Sequence, residues 1–403
     1  MIKKYLKPAA VILCAGMLMG TMGVQTRAES TTETVEAVME GAAAEDPEDL
    51  SAAPKIEGLT CESKAPFQYA TTIDVYYYSE GYKLISVHDD CDYLVIPEGK
   101  EAPEGLSDDV VRLQMPLDDI YMAATGSMAL FNAAGALDHV KFSSLQADGW
   151  YVDAAKQAME DGKISYAGKY SAPDYEQLLG NGCDLAVEST MILHSPDIKE
   201  MLENLGIPVF VDRSSYESHP LGRTEWIRAY AAMTDTEETA DAFMAEQTKI
   251  LDEMAGVEES GKTVAFFYVN TKGSVVVRRT DDTVPKMIEL AGSKYALTDI
   301  KAIAESKKSS VEMTMEEFYA EAKEADYLVY NAVIDVPITS VAELIDKSPL
   351  FEQFKAVNEG NVWCADNYLY QATDIVGRLI EDFHEMLTTG DESKITFLKK
   401  VTE

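Results

Sequence analysis

The chain has 403 residues, with 70 acidic side chains against 34 lysines and arginines and a formal charge of −36. That excess of acid makes nucleic acid and anionic membrane surfaces poor partners and a basic docking surface a good one. Once a leader and a tether are set aside, the remaining length suits two lobes rather than one.

Residues 1–28 read as an export signal. Lys3, Lys4 and Lys7 precede an apolar run from Pro8 to Val24, and Thr26 and Ala28 suit a small-residue cleavage site. The run is too short and too rich in glycine for a membrane span. Cys14 follows Leu13, where a lipobox requires a small residue, so the leader carries no usable lipidation signal. Cleavage would remove Lys3, Lys4, Lys7 and Arg27 and no acid, taking the charge from −36 to −40. Residues 29–64 are expected to form an acidic flexible linker, because their Glu, Ala, Thr and Asp composition buries little apolar area.

Residues 65–234 are expected to form the N-terminal α/β lobe. It starts with a small β-meander, in which TIDVYYY, YKLISV and DYLVIPEG alternate apolar and polar residues between short turns. His88, Asp89, Asp90 and Asp92 fall at a hairpin tip and read as turn residues rather than metal ligands. Strand and helix patterns then alternate through DDIYMAA, HVKFSS, DAAKQAMEDG and DLAVES to IPVFVD. Residues 235–257 read as one long helix, with Ala240, Phe243, Met244, Gln247, Ile250, Leu251 and Met254 on a 3.6-residue period. About twenty helical residues at ~1.5 Å each would span roughly 30 Å, enough to link two lobes. Residues 258–403 repeat the strand and helix alternation. Tyr175-Glu176-Gln177-Leu178 before DLAVES matches Met315-Glu316-Glu317-Phe318 before DYLVYN, as in two lobes of one plan.

The segment IPVFVDRSSYESHPLGRTEW, residues 207–226, carries the most chemistry. An apolar strand runs directly into Arg213, Tyr216, Glu217, His219 and Arg223, and ligands of open α/β sheets sit beyond the carboxyl ends of strands. Strand-end reasoning also nominates Thr125, Ser127, Tyr166, Tyr170, Glu188 and Met191 from the first lobe. From the second it nominates Asn270, Lys272, Arg278, Arg279, Tyr330, Trp363 and Tyr368. Arginines and aromatics along one cleft of an acidic protein suit a large flat or anionic complex. Cys61, Cys91, Cys183 and Cys364 show no CxxC pattern; a Cys61–Cys91 bridge and buried free thiols are both open readings.

The segments YAGKYSAPDYEQLL, DLAVESTMILHSPD and GIPVFVDRSSYESHPLGRTEWI, with the connecting helix and second lobe, resemble the class III solute-binding proteins of ABC importers. That group serves iron-siderophores, haem and cobalamin, and the resemblance covers about residues 65–402. It implies two Rossmann-like α/β lobes joined by one long helix, no catalysis, no resident cofactor, and a monomer that holds a small-molecule metal complex in its cleft. The expected cargo-binding residues are Tyr170, Glu188, Met191, Arg213, Tyr216, His219, Arg223, Arg278, Arg279, Trp363 and Tyr368. By position, Glu176 and Glu316 look like the family's surface glutamates that pair with arginines of the permease membrane subunits, with Glu317 as the substitute for Glu316. The cargo expected is an iron-siderophore or haem-type complex, with a corrinoid as the alternative.

Two other classes compete. A bare-metal carrier would need clustered ligands, whereas His88, His139, His194, His219 and His384 are widely spread. A secreted hydrolase would need a marked nucleophile or HExxH, and neither is present; Glu217 and His219 alone suggest acid-base work.

Overall fold

The computed structural model describes residues 49–298, 300, 303, 309–332 and 335–402. The expected leader, and the linker up to residue 48, lie outside the described residues.

The N-terminal unit is a five-stranded sheet in the order β1-β2-β3-β4-β5. It comprises β1 (Cys61–Lys64), β2 (Ile73–Tyr78), β3 (Lys83–Val87), β4 (Asp92–Ile96) and β5 (Val111–Gln114). Strands β1 to β4 pair antiparallel as a meander does, but β5 pairs parallel to β4. The central strands β2 to β4 are buried on both faces. Ile73, Val75, Ile85, Val87, Tyr93 and Val95 join the first lobe's core, while Tyr76, Tyr78, Tyr82, Leu84, Leu94 and Ile96 are covered by residues that include Ile56. This corrects the flexible linker expected through residue 64. Pro54 accepts a hydrogen bond from the Tyr78 hydroxyl, Ile56 is buried, and Cys61–Lys64 add a strand. The tyrosine-rich outer face needs an apolar cover, and the nearest chain supplies it.

The first lobe is a parallel sheet, β12-β11-β6-β7-β8. Its strands are β6 (Ile120–Met122), β7 (Val140–Ser143), β8 (Ser165–Tyr166), β11 (Leu185–Ser189) and β12 (Val209–Asp212); β9 (Gly168–Lys169) and β10 (Ala172–Pro173) form a small ribbon beside it. Its helices are α1 (Thr125–Ala133), α2 (Asp153–Glu160), α3 (Tyr175–Gly180), α4 (Pro196–Asn204), α5 (Pro220–Glu225) and α6 (Ile227–Thr234). Asp235 closes α6 in the left-handed conformation, φ 54°, and the chain then turns into α7 (Glu237–Met254). Helix α7 buries Ala240, Met244, Gln247 and Leu251, the 3.6-period stripe read from the sequence.

The second lobe contains β13 (Thr263–Val269), β14 (Val275–Arg278), β15 (Lys294–Tyr295), β16 (Ser310–Met313), β17 (Tyr327–Asn331), β18 (Val362–Ala365) and β19 (Leu398–Lys400). They lie in the order β16-β14-β13-β17-β18-β19, with β15 beside β13. Its helices are α8 (Thr283–Leu290), α9 (Met315–Ala322), α10 (Val341–Lys347), α11 (Lys355–Asn358) and α12 (Val376–Thr388). Helix α3 feeds β11, which lies between β12 and β6, and α9 feeds β17, which lies between β13 and β18. The repeated sequence units thus occupy matching inner places in the two sheets. Cys61, Cys91, Cys183 and Cys364 are all free. No helix among the described residues is long and apolar enough to cross a membrane.

Candidate functional site

The carboxyl end of β12 is fixed by Asp212, whose carboxylate accepts hydrogen bonds from Ser127, from Tyr230 at 2.8 Å and from the Ser214 amide at 2.7 Å. A short 3-10 turn, Ser214–Tyr216, follows and carries the next residues toward the second lobe. The loop is then held by two buried carboxylates. Glu225 accepts from the backbone amides of Gln68, Tyr69 and Ala70 at 2.9, 2.6 and 2.6 Å. Glu217 accepts from the amides of Thr71 and Thr72 at 2.8 and 3.0 Å, from both threonine hydroxyls, and from the Trp226 indole at 3.1 Å. Burial pushes the Glu225 carboxyl above its ordinary range, and the three amides pull it back. Residues 68–72 therefore form a strap clamped across the start of α5. Gly222 permits it, because a Cβ there would stand 2.8 Å from the Tyr69 carbonyl oxygen.

Between the lobes lies a cavity of about 900 Å³. Its first-lobe wall presents His194, Ser215, Tyr216, Glu217 and Arg223, and its second-lobe wall presents Arg278, Arg279, Asp282, Thr283 and Lys286. Leu369, Ala372, Thr373 and Val376 line the remaining side. Arg223 donates to the Ser215 carbonyl at 3.1 Å, bracing the turn that carries Tyr216. Burial disfavours the charge on Arg223, and Asp282 opposite partly restores it. Arg279 pairs with Asp281, and Lys286 reaches across the cleft to the Ser218 carbonyl at 2.8 Å. The cavity is thus mixed in charge, with cations contributed from both sides of the cleft. Gln371 also bridges the lobes, accepting from the Tyr151 amide at 2.8 Å and donating to the Gly149 carbonyl at 2.9 Å.

Of the eleven residues nominated as cargo contacts, Tyr216, Arg223, Arg278 and Arg279 line this cavity. The other seven sit elsewhere, each for an identifiable reason. Arg213 turns back to pair with Asp90 at 2.8 Å. His219 stacks on Tyr69 and accepts from the Leu221 amide at the start of α5. Glu188 and Trp363 point from strand interiors into core, at 0% and 1% exposure. Tyr170 packs against the first lobe's outer core, and Tyr368 stacks on Phe397 with its hydroxyl on Asp374. Met191 is 48% exposed, outside the cavity lining. Among the wider nominations, Ser127 is tied to Asp212, Tyr330 to Asp335, and Asn270 closes the β13–β14 turn. His194, Thr283 and Lys286 line the cavity but were not nominated, since nothing in their local sequence distinguishes them.

Glu176 and Glu316 both lie exposed in the first turns of α3 and α9. Glu317 closes a capping box with Thr314, so its carboxylate is engaged by its own helix, whereas Glu316 is not. Among the described residues, no group of three or more His, Cys, Asp or Glu side chains could hold a metal ion.

The family model described as "Periplasmic binding protein" matches residues 137–369. An uncharacterized lipoprotein of Methanocaldococcus jannaschii is 23% identical over 336 residues, covering 75% of this chain and 76% of the relative. Among solved structures, a periplasmic heme binding protein from Pseudomonas aeruginosa superposes with a TM-score of 0.53 at 13% identity, covering 68% of this chain and 93% of that one. An ABC-type Fe3+-hydroxamate transport protein from Saccharomonospora viridis gives 0.51 at 19% identity, with 68% and 94% covered. At these identities the structural likeness speaks for the fold. The hydrolase reading falls with them, because the family's proteins bind solutes rather than transform them, and Glu217 is committed to the strap. The two-lobed architecture and the span of the match together place this chain in the periplasmic binding protein family, the solute-binding components of ABC importers.

Proposed function

We propose that the chain is an extracytoplasmic receptor that captures an anionic iron chelate, of siderophore or haem type, in the interlobe cavity and delivers it to an ABC permease. The observation that carries this reading is the convergence of Arg223 from the first lobe with Arg278, Arg279 and Lys286 from the second on one cavity of about 900 Å³. In a chain with a formal charge of −36, cations gathered from both lobes suit an anionic guest that touches both walls. Tyr216, 57% exposed at the rim, offers an aromatic face for stacking. Glu176 and Glu316 serve as the docking carboxylates, one exposed on each lobe, and bidentate pairing with permease arginines would set the register.

Absorbance and fluorescence titration with haem, ferric siderophores and cobalamin tests the cargo. Saturable binding of an iron complex is expected, weakened at least tenfold in R278A/R279A, since each lost charge-assisted contact is worth about 1.5 kcal/mol or more. Preference for cobalamin would reassign the cargo, and binding unaffected by the arginine changes would move it out of this cavity. In cells, E176A/E316A should abolish uptake while leaving capture unchanged; normal uptake would remove the docking assignment.

A further inference from the structure

The strap, residues 68–72, is gripped from a second side by the tip of the β3–β4 hairpin. The His88 ring places Nδ1 at 3.0 Å from the Thr71 carbonyl oxygen and Nε2 at 2.8 Å from an Asp74 carboxylate oxygen, and the His88 amide donates to the Thr72 carbonyl at 2.9 Å. Both ring partners are acceptors. A neutral imidazole has one N–H and one lone pair, so it satisfies one partner and turns a lone pair on the other, whereas the imidazolium donates to both. The hydrogen bond to Asp74 accordingly holds the His88 pKa above its ordinary 6.5, against a partial burial that lowers it. The charged groups around the ring are Asp74 on β2, Glu217 before α5 and Lys64 on β1, which shares with it a recess of about 130 Å³.

The Thr71 carbonyl and the Thr72 N–H belong to one peptide group, and that N–H donates to Glu217 Oε1 at 3.0 Å. The same carboxylate oxygen accepts from the Trp226 indole at 3.1 Å. A single peptide thus stands between the imidazolium and a buried carboxylate, where each hydrogen bond polarises the next. The hairpin tip also holds the start of the turn, since Asp90 pairs with Arg213 at 2.8 Å. Tyr216 lies between these two anchors on the cavity wall, and Ser218, just beyond Glu217, receives Lys286 from the second lobe.

We propose that His88 is a positioning residue for the cargo cavity: as the imidazolium it fixes Glu217, and with it the wall from Tyr216 to Ser218, and its deprotonation slackens that wall and weakens capture. The inference rests on the cavity being the cargo site and adds a pH control to it. The brace is complete well below pH 6.5 and is lost as pH rises through the higher midpoint of the folded His88.

The test follows the NMR signal of the Trp226 indole N–H in the full chain between pH 5.5 and 8.5, the signals of Trp150 and Trp363 being assigned by their replacement with Phe. The expected result is a titration of the Trp226 signal with a midpoint above 6.5, moved to lower pH in D74N and absent in H88Q. In parallel, affinity is measured at pH 6 and 8.5 for whichever of haemin, ferric citrate and a ferric trihydroxamate binds the parent most tightly. Over that interval it should fall roughly threefold more in the parent than in H88Q, the worth of about one ordinary hydrogen bond. The comparison with H88Q cancels every other group that ionises in this range, on the protein or on the chelate. A Trp226 signal that does not titrate, one that titrates unchanged in H88Q, or equal affinity ratios in the two proteins would each overturn the proposal. A parent that binds none of the three probes would overturn the cavity reading and the control of capture with it, and the indole titration would still report whether His88 holds Glu217. If H88Q does not fold, the parent titration and the lower midpoints of indole signal and affinity in D74N decide the same question.

Discussion

Tyr69 stacks on His219, with ring centroids 4.5 Å apart and planes inclined by 18°. This pair joins three bodies. Tyr69 belongs to the strap that leads into the N-terminal sheet, His219 starts α5 in the first lobe, and the Tyr69 ring, 2% exposed, packs in the second lobe's core with Leu221 and Leu251. The Tyr69 hydroxyl lies beside Thr248 on α7. The ring is thus a wedge beside the interlobe helix, anchored through backbone amides to Glu225.

Replacing Tyr69 by Ala removes that wedge. A buried aromatic truncated to Ala typically loses about 3–5 kcal/mol, and Y69A should fall near 3 because the strap keeps its carboxylate clamps. Chemical denaturation measures the loss directly. Y69F removes only the hydroxyl and should cost about 1 kcal/mol. A neutral Y69A would show that the lobes do not depend on this contact.

Glu188 predicts how stability varies with pH. Its side chain is 0% exposed and both carboxyl oxygens lack a hydrogen-bond partner among the described residues, so burial pushes its pKa from 4.5 to about 8. The folded protein therefore keeps a proton that the unfolded chain releases. Below about pH 4.5 the two states are protonated alike and this residue imposes no penalty. As pH rises from there toward about 8, this residue should lower stability by roughly 1.4 kcal/mol per unit, with the loss complete once the folded carboxyl ionises. In E188Q that component of the slope should vanish, which urea midpoints at pH 5, 6.5 and 8 would reveal. An unchanged slope would mean that Glu188 is ionised in the fold.

Gln371, 1% exposed, accepts from the Tyr151 amide and donates to the Gly149 carbonyl across the lobes. Q371A removes both hydrogen bonds from a part-buried contact, at about 0.5–1.5 kcal/mol each. It should also raise hydrogen exchange at the Tyr151 amide more than at the α7 amides. Uniform acceleration across the molecule would argue that the bridge has no local role in holding the lobes together.

The sequence by itself fixed the two-lobed α/β plan, because hydrophobic period is a local property that strands and helices must satisfy wherever they pack. The 3.6-residue stripe of residues 237–254 and the paired units that start at Tyr175 and Met315 are of this kind. It also pointed to the cluster around residues 213–223, since strand ends in such sheets face ligands. Tertiary structure decided which members of that cluster face the cavity. Arg213 and Arg223 lie ten positions apart with the same side chain, yet one is held by Asp90, 123 residues away, and the other lines the cleft. Glu217 and His219 resemble an acid-base pair in sequence and turn out to be clamp and stack, because their partners at Thr71, Thr72 and Tyr69 lie about 150 residues earlier in the chain. A side chain's charge is written in the sequence; its partner is set by which distant backbone amides and rings the fold brings within hydrogen-bonding or packing distance.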